Sequence, residues 1–356
     1  MSKVKYMLCA LFCAVTFQAT CAASLELELL GEFRIPTNLK FEGTPIGGLS
    51  AIEYDAQRNV YYALSDDRAE FGPARFYTFR IDVDEQGINS VDIVSSTEIL
   101  RSDGTPFAPR SIDPESLRLL SDTLYWTSES DLNGRPSISA MDLKTAVQKR
   151  SFPIPEYYLP AASSGIRNNR SFESLTLIGN GKLIVGNEEA MQQDGPNATA
   201  DQGSPSRVIT IDLKSGAATA EHVYVTEKIA ARPIPGDRFA TNGLVELLAM
   251  PDGKSMIALE RSYSVGQGNV IRIFETQFTG ATNVLGRTKL GADYTPMPKE
   301  LIYTLSVGET FSRVDNIEGI TFGPEVNGAD TLILVSDNNF NLQQVTQFLV
   351  FTVKNL

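Results

Sequence analysis

Apolar residues along this chain recur with a period of two. Val60-Tyr61-Tyr62-Ala63-Leu64, Leu124-Tyr125-Trp126-Thr127, Leu183-Ile184-Val185, Met256-Ile257-Ala258-Leu259 and Leu332-Ile333-Leu334-Val335 are short runs rich in β-branched or aromatic side chains. That pattern predicts strands. Each run is entered through a turn signal: Gln57-Arg58-Asn59, Ser121-Asp122, Asn180-Gly181, Asp252-Gly253 or Asn327-Gly328. No long segment carries a capped apolar stripe of 3.6-residue period, so little helix is expected.

The runs belong to a repeat of opening strand, turn, apolar strand and acidic or amide cluster. Its copies run from Gly48-Leu49-Ser50-Ala51-Ile52 to Ser65-Asp66-Asp67, from Asp113-Pro114-Glu115-Ser116-Leu117 to Ser128-Glu129, and from Ser171-Phe172-Glu173-Ser174-Leu175 to Asn187-Glu188-Glu189. Two more run from Gly243-Leu244-Val245-Glu246-Leu247 to Glu260-Arg261 and from Asn316-Ile317-Glu318-Gly319-Ile320 to Ser336-Asp337-Asn338. Most copies are followed by a further strand ending on an acidic position, as at Phe76 to Asp82 or Val208 to Asp212. A recurring unit of three or four strands predicts an all-β chain closed into a β-propeller. The spacing suggests six blades, with five or seven also compatible. The irregular stretches Ser151 to Asn169, Ala190 to Ser206, Ala231 to Thr241 and Thr288 to Lys299 are expected to build one face of the disc.

The N-terminus has the order of an export signal: Lys3 and Lys5, an apolar run from Tyr6 to Phe17, then small residues up to Ala23. Residues 1–23 are therefore expected to be a signal peptide and 24–356 a single propeller domain, secreted or periplasmic. Cys21 offers an alternative, a lipid anchor at the first mature residue. All three cysteines, Cys9, Cys13 and Cys21, lie in this segment, which leaves the mature chain without a disulfide or a thiolate metal site. No later stretch is apolar enough for a transmembrane helix. Of the charged residues, 43 are acidic and 31 basic, a net −12 that becomes −14 without Lys3 and Lys5. That sign argues against nucleic-acid partners and suits cation binding.

In three copies the opening strand carries a glutamate: Glu115, Glu173 and Glu318. Ser50 takes that position in the first copy and Val245 in the fourth, where Glu246 follows. The innermost strands of a propeller line its axis, so equivalent positions should form a ring of carboxylates at the channel mouth. Such a ring repels itself unless a cation or arginines sit within it. Glu115, Glu173 and Glu318 are thus candidates to hold a cation or act as a catalytic base, with Asp66 and Glu188 as further ligands. The competing reading has the glutamates only fixing blade-to-blade register. Asp66, Glu129, Glu188, Glu260 and Asp337, at the far end of the apolar runs, read as surface turn residues. Arg110, Arg170 and Arg313 precede the glutamates, Arg68 and Arg75 follow the first acidic cluster, and Arg261 follows Glu260. Arg68, Arg110, Arg170 and Arg313 are candidates to bind an anionic substrate.

Other chemistry finds little support. The one histidine, His222, alternates within Glu221-His222-Val223-Tyr224-Val225 as a strand-surface residue. No G-x-S-x-G elbow, H-E-x-x-H pair or phosphate-binding glycine loop is present. Asp82-Val83-Asp84-Glu85-Gln86-Gly87 starts like a calcium loop but lacks the closing glutamate, and reads as a hairpin turn.

Phe152-Pro153-Ile154-Pro155-Glu156-Tyr157-Tyr158-Leu159-Pro160, continuing through Arg167-Asn168-Asn169-Arg170-Ser171-Phe172-Glu173-Ser174-Leu175 to Gly186-Asn187-Glu188-Glu189, resembles the phytase-like propeller family labelled "esterase-like activity of phytase". Gly47-Gly48-Leu49-Ser50-Ala51 with Leu64-Ser65-Asp66-Asp67-Arg68, Asp113-Pro114-Glu115-Ser116 with Glu129, Glu260-Arg261-Ser262-Tyr263, and Asn316-Ile317-Glu318-Gly319-Ile320 match in the same order. The likeness spans about residues 30 to 356. It implies an exported β-propeller with phosphatase or esterase activity on a small-molecule ester or phosphate ester, with Ca²⁺ as the implied cofactor. Two functions are carried forward: a metal-assisted hydrolase, and a non-catalytic propeller that binds a ligand or protein on its loop face through Ser151 to Asn169.

Overall fold

The computed structural model describes residues 25–356 apart from positions 180 and 309. The expected signal peptide at 1–23, its three cysteines and the lipid anchor at Cys21 lie outside the described residues. Five four-stranded antiparallel sheets form the blades. The first comprises Leu49–Asp55, Val60–Ser65, Arg75–Asp84 and Gly87–Glu98. The second comprises Pro114–Leu120, Thr123–Ser128, Ser137–Asp142 and Gln148–Phe152. The third comprises Phe172–Ile178, Lys182–Asn187, Pro205–Asp212 and Ala218–Val225, and the fourth Ala240–Ala249, Ser255–Ser264, Gly268–Gln277 and Lys299–Leu305. The fifth takes Asn316–Phe322, Asp330–Asp337 and Val345–Lys354 from the end of the chain and Glu26–Pro36 from its start. That strand runs antiparallel to Val345–Lys354, from Glu26 opposite Lys354 to Pro36 opposite Val345, and so closes the ring.

The fold is the expected all-β propeller, with five blades, one of the numbers compatible with the repeat spacing. The surplus length lies in connections, such as 153–171, 188–204 and 278–298, instead of a further sheet. Helix is confined, among the described residues, to the single 3₁₀ turn Glu156–Tyr158, and no helix there is long and apolar enough to cross a membrane. Asp82 to Gly87 is a hairpin, with Asp84 opposite Gly87.

The first strands of successive sheets meet one another in a closed circle around the axis. The core lies between neighbouring sheets. Tyr62, Leu64 and Phe76 of the first blade pack on Leu117, Leu124 and Trp126 of the second, and Ile138 and Phe152 of the second pack on Leu175 and Val185 of the third. Each such side chain contributes about 1.5–3 kcal/mol through the apolar area it removes from water.

All five inner strands carry a β-bulge at the same repeat position. The register slips between Leu49 and Ala51, Pro114 and Leu117, Phe172 and Ser174, Leu244 and Glu246, and Ile317 and Gly319. The slips fall on Ser50, Glu115, Glu173, Val245 and Glu318. A bulge interrupts the alternation of faces and re-aims a side chain. A glutamate that would otherwise point into a sheet interface can therefore turn toward the axis.

Candidate functional site

Each inner strand begins where its partner strand ends, because the two form an antiparallel hairpin. Asp66 N–H donates to Gly48 O at 2.8 Å, Glu129 N–H to Asp113 O at 2.8 Å and Glu188 N–H to Ser171 O at 2.7 Å. In the second and third blades the acidic residue at the end of the apolar run is thus folded back beside the glutamate that opens the blade. The expectation that Glu129, Glu188, Glu260 and Asp337 are surface turn residues is corrected: all four are buried, at 1% exposure or less. Asp66 is half-buried.

Glycines make this crowding possible. A Cβ on Gly243 would stand 2.3 Å from Glu188 Cγ, and one on Gly48 would stand 2.0 Å from Asp66 Oδ1. Gly48 also takes a positive φ of 65°, which glycine adopts without strain.

A cavity of about 740 Å³ opens over this end of the axis, lined by seven carboxylates and four arginines. Glu115, Glu173, Glu318 and Asp66 reach it together, with Arg68, Arg170 and Arg313. Glu188 lies beneath, where Arg170 (2.8 Å) and Arg261 (3.1 Å) both pair with it. Arg110 is not brought in. It takes a positive φ of 62° and pairs with Glu70 at 2.7 Å, with most of its side chain in solvent. Val245 is buried in the core and supplies no carboxylate. Arg261 of the same blade enters the cavity instead, 3.4 Å from Glu318.

Glu129 and Asp113 are not among the ligands expected from sequence, yet both belong to carboxylate groups that could hold a metal ion. Carboxylate oxygens of Asp113, Glu115 and Glu129 lie within 4.8 Å of one another, and so do those of Glu129, Glu173 and Glu188. For Glu129 the signal is the recurrence of an acidic residue at the end of each apolar run, which its reading as a turn residue hid. Glu129 Oε1 accepts a hydrogen bond from Ser171 N–H of the next blade, which is the register-fixing role. Its Oε2 is buried with no hydrogen-bond partner. A carboxylate that belongs to both groups and has an orphaned buried oxygen fits a hard, oxygen-liganded cation such as Ca²⁺.

The electrostatics agree. Burial, then Glu173, Asp113 and Glu129, push Glu115 well above the usual carboxylate range. Burial, then Glu129, Glu188 and Glu318, do the same to Glu173. Burial and Glu188 push Glu129 up to about 8. Glu318 is raised to about 8 by burial, against the opposing pull of Arg261. Burial, then Asp337 and Glu318, raise Asp66. Removing these groups from water and crowding them makes full ionisation costly without added positive charge.

His222 is buried rather than on the surface, stacked on Phe278 at 4.7 Å. It is not among the cavity residues. The Ser151 to Asn169 stretch is fastened down: Tyr158 is buried 5.4 Å from Phe172, and both Tyr157 and Tyr158 donate to Glu221.

Several solved structures are similar to the chain at low identity. The Dos1 propeller is 8% identical, with 85% of this chain and 67% of that one covered and a TM-score of 0.35. A bifunctional GH43-CE protein of Bacteroides eggerthii is 11% identical, with 89% of this chain but only 34% of that one covered, so the chain spans about a third of it; the TM-score is 0.46. The hydrazine synthase of Kuenenia stuttgartiensis is 11% identical, with 84% and 80% covered and a TM-score of 0.37. No curated protein matches the chain. The model of one sequence family matches residues 44–340, which hold the inner strand of every blade and every carboxylate and arginine that lines the cavity: the chain belongs to the phytase-like family, described as esterase-like activity of phytase.

Proposed function

We propose that this protein is a cation-assisted hydrolase of phosphoesters or carboxylic esters, acting in the acidic cavity. The observation that carries the reading is Glu129, a member of both carboxylate groups that keeps a buried, unpartnered Oε2, beneath a cavity edged with arginines. Membership of the phytase-like family fits a hydrolase. Asp113, Glu115, Glu129, Glu173 and Glu188 would hold the cation. A bound Ca²⁺ would polarise the ester and lower the pKa of a neighbouring water.

The chain's own groups supply the rest. Arg68, Arg170 and Arg313 present guanidinium donors to the anionic end of the substrate. Glu318, raised to about 8 and held by Asn316 Nδ2–H at 3.0 Å, is placed to exchange a proton near neutral pH. As the oxygen of water bonds to phosphorus or to the acyl carbon, Glu318 takes its proton. The bond to the alcohol oxygen then breaks as Glu318 returns that proton to it, so the alcohol leaves neutral and the carboxylate is restored.

The test is release of phosphate or p-nitrophenol from model esters by the purified protein, with and without a chelator. Turnover that the chelator abolishes and calcium restores is expected. Turnover unchanged in the E115Q/E173Q/E318Q triple variant would remove these residues from the mechanism.

A further inference from the structure

The acidic cavity has one wall of a different character. Phe239 and Tyr263 both line it, with ring centroids 6.2 Å apart and planes inclined by 37°. Phe239 ends the irregular stretch before the fourth blade and is 56% exposed. A large aromatic ring with more than half of its surface in water contributes little to the fold. Tyr263 stands on the strand Ser255–Ser264, opposite Thr241. It lies two residues beyond Arg261, and strand residues two apart share a face about 7 Å from one another. The strand therefore presents a guanidinium among the carboxylates at depth and a phenol ring one step nearer the mouth. Arg313 lines the same cavity, so cationic donors and the aromatic wall border one volume.

Resting on the hydrolase reading of this cavity, we propose that Phe239 and Tyr263 form a subsite for the organic part of the substrate, and that this part is a planar aromatic group carrying the anionic ester. Rings offset or tilted against a third ring gain from stacking as well as from area removed from water. A phosphate or carboxylate at the arginines would set an attached aryl group against the two rings. A compact polar alcohol bearing several phosphates would leave the wall wet and unused.

The experiment is isothermal titration of the full chain, in calcium-containing buffer, with 1-naphthyl phosphate and with methyl phosphate. Both carry the same anion and differ only in the group it bears. The naphthyl ester is expected to bind at least tenfold more tightly. That ratio should fall below about threefold in Phe239→Ala and in Tyr263→Leu. Equal affinities in the unaltered protein, or a ratio that survives both substitutions, overturns the subsite. If neither ester binds, the anion-binding reading of the cavity falls and the subsite with it. A preference that obeys the substitutions while neither ester is hydrolysed keeps the subsite and removes only the hydrolase.

Discussion

Arg118 and Glu246 meet on the propeller axis, 3.2 Å apart, and between them they touch the inner strand of every blade. Arg118 donates to Ile52 O of the first blade, Leu117 O of its own, Leu247 O of the fourth and Ile320 O of the fifth, at 2.8–3.3 Å. Glu246 accepts from Ser116 Oγ at 2.8 Å and from Leu175 N–H of the third blade at 3.0 Å. Ser116 follows Glu115, and Leu175 is two residues after Glu173. The pair thus holds the strands that carry two of the cavity glutamates.

Substitution at this pair should be costly and unequal. Arg118→Met leaves four carbonyls without their donor and sets Glu246 against Glu53, which also lies 3.7 Å from Arg118. A loss of roughly 3–5 kcal/mol is expected. Glu246→Gln should cost less, because Glu53 still faces the guanidinium. Denaturant unfolding of both variants checks the order. A loss below about 1 kcal/mol for Arg118→Met would show that the axis does not depend on it.

Glu129→Gln tests the shared ligand. Glutamine keeps an oxygen for the Ser171 N–H and removes the charge from the orphaned atom. Calcium affinity, measured by titration calorimetry, should fall at least tenfold while the fold persists. Unchanged affinity would exclude Glu129 as a ligand.

Stability of the metal-free protein should decline as pH rises through neutrality. Carboxyl groups titrate near 4.3 in the unfolded chain, whereas burial and neighbouring carboxylates raise Glu129 and Glu318 to about 8 and burial raises Asp337 to about 6. Between those limits the folded state binds more protons than the unfolded one. Linkage then makes the unfolding free energy fall with pH from about 4.3 to about 8. Added calcium should flatten that decline by favouring the ionised groups. Thermal melts across pH 4–9, with calcium and with chelator, would contradict the cation site if the two profiles coincide.

The arginines should separate cleanly. Arg261→Ala removes the cation between Glu188 and Glu318 and is expected to lower kcat/KM at least tenfold. Arg110→Ala breaks only an exposed pair with Glu70, and surface pairs of this kind contribute little. Its kcat/KM should stay within twofold of the unaltered protein. Steady-state kinetics on p-nitrophenyl phosphate measure both, and equal losses would contradict the placement of Arg110 outside the cavity.

Gly243→Ala probes the close approach of Glu188. The added methyl must displace that side chain, at a cost of about 1–3 kcal/mol. Calcium affinity should drop with it, since Glu188 belongs to one of the two carboxylate groups. A variant with full calcium affinity would show that Glu188 is not needed.

The strands, the repeat and the opening glutamates are legible in the linear chain. Period-two runs such as Val60 to Leu64 and turns such as Asp252-Gly253 are local, and local chemistry reports them. Tertiary structure decided what those residues meet. Pairing of Glu26–Pro36 with Val345–Lys354 joins the two ends of the chain, and no local pattern records a partner so far away. Blade number depended on how much chain the connections absorb, which composition does not state. Hairpin pairing folded Glu129 and Glu188 back onto the cavity and left Arg110 on the rim, a choice of neighbours made by register and bulges. Burial followed from that choice, and burial is what turns a common acidic side chain into a group that calls for a cation.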